Sequence, residues 1–521
     1  MSLSITLLCL NISFGQTVPS FTEETQQANI QHVYEGGFEH LTGGGLAVFD
    51  CNGDDLPELY MAGGESLSSF YLNTGQQADN LQFEKIDRLA MTGVTGAYPL
   101  DVNADNLIDL IVLRVGRNSL FQGLGDCQFT EANDLWEFDG GDDWSTAFSA
   151  TWLPNDTWPT LAVGNYIDQY QDESPFGTCL AHQLFRPNSD AFEVQRLTPA
   201  YCALSMLFTD WNRSGTPSLR ISNDRQYYLT NQNRRGSEQL FYFDGQNYLP
   251  YEGEQGWTSL QIWGMGIASA ELTGDGYPEY VLTSMSDTKL RTLAEIDTET
   301  STWTTPTYQD SAFARGVTAH IAYTGDTGKP STGWHAEFDD LNNDSLSDLF
   351  IAKGNVDAMS DFALDDPNNL LLQQPDGAFT EVGLQAGIAS GERGRGAAVV
   401  DLNLDGKLDI VVVNRNANAQ VWRNTSQDLG NWLQVRLEHP HNSHGIGSWL
   451  ELDTGERTFY KELTIGGGHV SGELGFTHMG LGPAQTARLK VHWFDGQVSD
   501  WHVLMANQIY HIHADGKIEF Q

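Results

Sequence analysis

Asp401-Leu402-Asn403-Leu404-Asp405-Gly406-Lys407-Leu408-Asp409 is the stretch that decides the fold. It places oxygen-bearing side chains at positions one, three, five and nine of a tight loop. The same frame returns as Asp50, Asn52, Asp54 and Glu58, then as Asp101, Asn103, Asp105 and Asp109. It returns again as Asp340, Asn342, Asp344 and Asp348, and with longer or neutral side chains as Glu271, Thr273, Asp275 and Glu279. Two further copies keep the turn but lose ligands: Asp210 to Ser218 ends in a hydroxyl, and Trp152 to Thr160 retains Asp156 and Pro159. The copies begin at residues 50, 101, 152, 210, 271, 340 and 401, so the chain contains seven units. Self-similarity at such a period is the mark of a repeat architecture.

The flanks say what the loop joins. Ala47-Val48-Phe49 precedes the first copy and Leu59-Tyr60-Met61 follows it, while Leu110 to Val115, Leu349 to Ala352 and Ile410 to Val413 follow others. Short apolar runs rich in branched residues and bounded by turn residues read as strands buried on both faces. A second pair of segments recurs further on, as Tyr71-Leu72-Asn73 with Phe83-Glu84 and as Leu371-Leu372 with Phe379-Thr380-Glu381. Each unit thus holds about four strands, the content of one propeller blade. The seventh unit lacks its Phe-Thr-Glu strand after Asn424, and Phe21-Thr22-Glu23 supplies one at the other end of the chain. That strand is expected to latch the ring; a frayed leader remnant is the alternative. The expected fold is all-β, a seven-bladed β-propeller over residues 21–425 followed by a small C-terminal β-domain over residues 431–521.

Three carboxylates crowded into one loop repel each other and raise each other's pKa unless a cation joins them. An all-oxygen donor set suits the hard ion Ca²⁺ over Zn²⁺ or Cu²⁺. Position seven needs no special side chain if its carbonyl is the ligand. Position six needs φ > 0, which Gly406 and Gly276 adopt readily, Asn106 and Asp55 tolerate, and Ser345 suits less well. An EF-hand is excluded, because its loop needs a Glu at position twelve and helices on both sides. Extracellular calcium loops bind with Kd of about 10⁻⁴–10⁻³ M, so a structural clamp on each hairpin is expected rather than a sensor.

Composition narrows the partners. Of the 521 residues, 69 are Asp or Glu against 27 Lys or Arg, giving a formal charge of −42. Such a balance opposes nucleic acid, whose phosphates require clustered basic residues, and opposes insertion into or attraction to anionic membranes. Leu3 to Leu10 is apolar but too short to span a bilayer. A signal peptide over residues 1–16, cut near Gly15–Thr17, fits it, with a disordered tail as the alternative. Four cysteines then remain, Cys51, Cys127, Cys179 and Cys202, an even count compatible with two disulfides in an exported protein. Cys179 with Cys202 is the favoured pair because both fall within one repeat; Cys51 with Cys127 would be the other, and four buried free thiols remain open.

With strand–DxNxDGxxD–strand repeats in view, residues 21–425 resemble the FG-GAP/VCBS propeller family, the fold of integrin α-subunit heads. The tail resembles an ASPIC/UnbV domain, as in cartilage acidic protein, through Asn431-Trp432-Leu433, Gly445-Ile446-Gly447, Gly466-Gly467-Gly468, Gly480-Leu481-Gly482, Val491 to Gly496 and Ala506-Asn507-Gln508. It departs from that pattern at Phe494, where proline is usual, and at Ser443-His444, where Arg-Asp is usual. The resemblance implies secretion, calcium and adhesion or matrix-type interaction, and for many bacterial members no defined activity.

Other chemistry is thin. No nucleophile elbow, zinc-protease helix or P-loop occurs. Nine of the 14 histidines follow residue 430, among them His439, His441, His444, His511 and His513. Their alternation could gather a transition metal, although surface histidines on an acidic protein are the commoner explanation. Trp136, Trp144, Trp257 and Trp263 could stack on sugar rings, with core packing as the default. The leading functional expectation is therefore a secreted, extracellular or periplasmic, calcium-binding module that engages a protein or glycan without catalysis. A calcium-dependent carbohydrate-active enzyme of polysaccharide lyase type is the alternative, for which no acid–base pair stands out.

Overall fold

The computed structural model describes residues 16–78, 80–168, 178–224, 237–294 and 304–520. All but Gln16 of the expected signal peptide lies outside the described residues.

Seven sheets follow one another along the chain, each a four-stranded antiparallel meander. Blade one is Leu46–Phe49, Glu58–Met61, Ser69–Asn73 and Phe83–Ile86. Blade two runs from Val94–Leu100 to Phe129–Glu131, blade three from Ser145–Thr151 to Ala191–Leu197, and blade four from Ala203–Thr209 to Tyr248–Pro250. Blades five and six begin with Gly264–Ala270 and Gly333–Asp339 and end with Tyr308–Asp310 and Phe379–Glu381. Blade seven takes Gly394–Val400, Asp409–Asn414 and Gln420–Asn424, and its outermost strand is Phe21–Glu23 from the other end of the chain. Phe21 pairs with Asn424 and Glu23 with Trp422, and Arg423 holds Glu24 at 2.9 Å. The innermost strand of every blade touches that of the next, and blade seven touches blade one, so the array is a closed ring.

The first two strands of each blade are buried almost throughout, as in Asp348–Lys353 and Asp409–Asn414, where every residue is buried. Neighbouring sheets cover both faces, which is why these strands read as continuous apolar runs. Trp136, Trp144 and Trp257 are buried in this packing and offer no platform for a sugar ring. Both expected cysteine pairs are bonded: Cys51–Cys127 joins blade one to blade two, and Cys179–Cys202 lies between blades three and four.

Beyond Asn424 the chain forms two further four-stranded sheets. One is ordered Thr477–Gly482, Asn431–Glu438, Gln508–His513, Ile518–Phe520; the other Thr458–Glu462, Trp449–Asp453, Thr486–His492, His502–Met505. They enclose their own core of Leu433, Val435, Leu452, Leu489, Val491 and Ile512. Among the described residues no helix is long and apolar enough to cross a membrane.

The segment between Glu462 and Thr477 leaves this domain and enters the axial channel of the propeller. Ile465–Gly466 pairs with the innermost strands of blades three and four, at Ala150, Ser149 and Leu207. The Gly467 and Gly468 N–H groups donate to the carbonyls of Met206 and Ile267, both at 2.6 Å. The His469 N–H donates to His335 Nδ1 of blade six at 3.1 Å, and its ring lies 4.9 Å from that of Trp334. Ser471 bridges to Ala97 of blade two, and Gly472–Leu474 runs parallel to Ala47–Phe49 of blade one. Blade seven is reached through the Val399 N–H, 3.3 Å from Glu473 Oε1. One loop therefore contacts the innermost strands of all seven blades. Its glycine run is needed for this path: Gly466, Gly467 and Gly468 all have positive φ, and a Cβ on Gly468 would lie 2.3 Å from the His335 ring. The facing strands are stripped as well, since a Cβ on Gly45 or Gly96 would lie 1.8 or 2.1 Å from the Val470 carbonyl oxygen.

The inserted loop and the propeller enclose a cavity of about 660 Å³ lined in part by Ile267, His335, Glu337, Lys461 and Glu473. Glu337 and Glu473 are hydrogen-bonded to each other across the domain boundary, and both accept from the Val399 N–H, at 3.0 and 3.3 Å. Burial, followed by the charge of Asp339, pushes the Glu337 carboxyl up to about 8. Burial and Glu337 itself push Glu473 up well above its ordinary value. Both shifts favour the protonated carboxyls over the carboxylates at this buried contact.

Two tests follow from this arrangement. Gly96→Ala is expected to cost about 1–3 kcal/mol through overpacking against Val470, and limited proteolysis should then cut the loop between Glu462 and Thr477 faster than in the wild type. Because the Glu337–Glu473 pair has raised folded-state pKa values, its contribution is complete below about pH 4.5, the unfolded value, and is lost as pH rises through about 8. Glu473→Gln keeps the hydrogen bond while removing one charge. It is expected to raise the thermal midpoint at pH 8 by roughly 2–4 °C and leave it unchanged at pH 4, as calorimetry at the two values would record.

Candidate metal-binding face

Each nine-residue acidic loop joins the innermost strand of a blade to the second strand, so all of them lie on one face of the ring. Their backbone follows a common plan. The position-one carboxylate turns back over the loop and accepts backbone N–H groups, from positions five and six in loops two, six and seven, from positions three, four and six in loop one, and from positions three, four and five in loop five. In loop two these come from Asp105 and Asn106 to Asp101, at 3.2 and 3.0 Å. In loop six they come from Asp344 and Ser345 to Asp340, at 3.0 and 2.6 Å, and in loop seven from Asp405 and Gly406 to Asp401, at 3.1 and 2.7 Å. The position-seven N–H donates to the position-five carboxylate in every acidic loop, as Leu107 does to Asp105 at 2.9 Å and Lys407 to Asp405 at 3.0 Å.

The position-nine acid sits deepest and ties three strands together. Asp409 accepts the Leu402 N–H at 3.1 Å and, through its other oxygen, the Asn424 N–H at 2.8 Å. Asp109 does the same with Val102 and Gly123, and Asp348 with Leu341 and Gln373. Glu58 and Glu279 reach Cys51 and Leu272 at 2.9 and 2.8 Å. Burial comes first among the causes that push these acids up: Glu58 and Glu279 reach about 8, and Asp109, Asp348 and Asp409 stand well above the ordinary range. The neighbouring carboxylates of the same loop add to the shift. At position one, Asp101 is raised to about 6 and Asp401 to about 7, again chiefly by burial.

Position three lies between the charges. Asn52, Asn103 and Asn342 donate from Nδ2 to the position-five carboxylate, at 3.1, 2.8 and 3.1 Å. Thr273 Oγ1 lies 3.5 Å from both Glu271 and Glu279. In loop seven the Lys407 ammonium also bonds Asp405 at 3.1 Å. The carboxylates of a loop are brought to one place but not drawn tight. Among the described residues, the one group of three ligating side chains with atoms within 4.8 Å of one another is Cys51, Glu58 and Cys127, whose sulfurs form a disulfide. The donor set nevertheless fits a hard cation: three carboxylates and one amide or hydroxyl oxygen, of which only Asp405 of loop seven meets a cation from its own loop, the Lys407 ammonium. If a side-chain amide is turned, its oxygen replaces the NH₂ group at the centre.

Two features escape a reading of the motif. Ser345 takes φ 71°, so the less suitable residue adopts the turn all the same. Position four is also left-handed, at Ala104 (59°), Asn343 (59°) and Leu404 (54°). The amide bonds to the position-one acid hold these non-glycine residues in that conformation. The histidine cluster expected to lie mainly on the surface is in part buried: His469 and His478 are 0% and 3% exposed. Burial lowers His444 and His469 to about 3 and His478 to about 4, so these rings are neutral at physiological pH. His439 and His441 face each other with ring centres 6.0 Å apart.

The C-terminal domain covers this face. Arg436 bonds Asp55 of loop one at 3.0 Å, Gln434 bonds Asp401 of loop seven at 2.6 Å, and His478 bonds Asn343 of loop six at 2.7 Å. Glu462 accepts the Asp210 N–H at 2.6 Å, while Arg213 lies over the rings of Trp449 and Tyr460 at 4.2 and 5.0 Å.

Residues 340–412 match the model of the FG-GAP-like repeat, and residues 438–519 match that of ASPIC and UnbV. No curated protein matches the sequence. Among solved structures, BBS1N in complex with ARL6DN is similar at 10% identity and a TM-score of 0.39, over 77% of this chain and all of that one. An Agrocybe aegerita lectin, described as specifically recognising non-reducing terminal N-acetylglucosamine, is similar at 14% identity and a TM-score of 0.30, over 71% of this chain and 74% of that one. The first match spans loops six and seven and the second the domain that covers them, and the chain comprises an FG-GAP-like repeat region followed by a C-terminal ASPIC/UnbV domain.

Proposed function

We propose that the chain is a secreted calcium-binding propeller that serves as a non-enzymatic binding module for an extracellular protein or glycan. The observation that carries the calcium reading is the recurrence, in five loops, of a buried position-nine acid beside two further carboxylates, with a single lysine, Lys407 of loop seven, as the only cation supplied from within a loop. The residues that would hold Ca²⁺ are Asp50, Asn52, Asp54 and Glu58; Asp101, Asn103, Asp105 and Asp109; Glu271, Thr273, Asp275 and Glu279; Asp340, Asn342, Asp344 and Asp348; and Asp401, Asn403, Asp405 and Asp409. Bound there, the ion would neutralise the carboxylates and fasten each hairpin. Two disulfides support export to an oxidising compartment.

The C-terminal domain lies over the acidic face and its loop fills the axial channel, so a macromolecular partner meets the opposite face or the rim. Loops on a rigid ring vary without disturbing the core, which suits recognition. The net charge of −42 favours partners with basic or neutral contact surfaces.

Thermal unfolding with a chelator and then with about 10 mM Ca²⁺ tests the metal. With Kd of about 10⁻⁴–10⁻³ M, each occupied site is expected to add roughly 1.4–2.7 kcal/mol, so calcium should raise the midpoint by many degrees and chelation reverse it. Asp409→Asn should remove loop seven's share of that gain. Equal midpoints with and without the ion would defeat the calcium assignment, and a glycan array together with a pull-down against extracellular matrix proteins would address the partner.

A further inference from the structure

The five acidic loops differ in how far water reaches them. In loop one, Asn52, Gly53 and Asp54 are exposed, and in loop two Asp105, Asn106 and Leu107 are. In loop seven Asp401, Asn403, Gly406 and Asp409 are all buried, and Asp405 and Lys407 are half-buried. The covering comes from the C-terminal domain: Leu404 packs with Ile509, and Trp432 packs against them. The Trp432 indole lies so close to Gly406 that a Cβ there would be 1.9 Å from it.

Ca²⁺ takes six to eight oxygen ligands, whereas the loop itself offers Asp401, Asn403, Asp405, the Lys407 carbonyl and Asp409. An exposed loop makes up the number with water. Loop seven has little access to water, but it has Gln434. This side chain is 2% exposed, donates from Nε2 to Asp401 Oδ2 at 2.6 Å, and leaves its Oε1 buried with no hydrogen-bond partner. A buried acceptor without a donor costs about 1–3 kcal/mol. It sits beside the position-one ligand.

We propose that loop seven is a composite cation site, completed from the other domain by Gln434, whose amide nitrogen fixes Asp401 and whose carboxamide oxygen is a further donor for the ion. This rests on the calcium reading above and extends it: the domain that covers the face becomes part of one of its sites. By linkage, cation binding at loop seven then favours docking of the C-terminal domain, and docking favours binding by the same factor.

The neighbouring indole provides the test. Tb³⁺ is a hard, oxygen-seeking probe for such sites, and its emission sensitised by Trp432 is the difference between the full-length chain and Trp432→Phe. A Trp432-dependent signal that Ca²⁺ displaces is expected. Gln434→Leu should weaken Tb³⁺ at this site by about 10- to 100-fold, the usual cost of losing a supporting ligand contact. Gln434→Glu, which keeps an oxygen at that place, should bind within a few-fold of the wild type. Should the leucine variant fail to fold, Gln434→Asn, which withdraws the oxygen by one methylene, is expected to show the same weakening. Unchanged affinity in the leucine or asparagine variant overturns the composite site while leaving calcium in the loops. Absence of any Trp432-dependent signal in the wild type overturns the calcium reading of loop seven itself.

Discussion

A ring of sheets turns the free edges of its innermost strands toward a common axis, and their backbone N–H and C=O groups must find partners there. In this chain the partner is a loop from another domain. Ile465 to Leu474 pairs with or bonds to the innermost strand of each blade in turn. The same constraint explains the sequence on both sides of the contact. Glycine is required within the loop for its left-handed path and at Gly45 and Gly96 for its passage. The propeller and the C-terminal domain are therefore one packed unit, built around a shared axis.

The second organising force is electrostatic and acts on the same face. Acidic loops from the hairpins bring carboxylates into regions where burial raises their pKa. Part of the cost is offset by backbone amides, which every position-one and position-nine acid engages. A further part is offset by Arg436 and Lys461, which bring positive charge to Asp55 and Asp339. What remains is the charge a divalent ion would meet. The C-terminal domain lies over these loops and, at the Glu337–Glu473 contact, adds a buried carboxyl pair whose protonated form burial favours.

Much of the fold was legible in the chain. The nine-residue spacing, its seven recurrences and the apolar runs beside it are local patterns, and local patterns are what strands and hairpins obey. The latch at Phe21–Glu23 was legible too, because the seventh repeat lacks a strand that the N-terminal segment supplies. Candidate ligands were legible as residue types at a spacing. Their depth was not: nothing in the motif distinguishes exposed Asn52 from buried Asn403.

The sequence alone therefore determined the architecture and the chemistry of the loops, because period, turn residues and donor atoms are properties of short segments. Only the tertiary structure decided where Gly466-Gly467-Gly468 goes, which face is covered, and that Gln434 meets Asp401. Those contacts join residues such as Gln434 and Asp401, or His469 and His335, that are distant in the chain. They arise from closing a circle, and no segment of the chain carries a record of its neighbour across the axis.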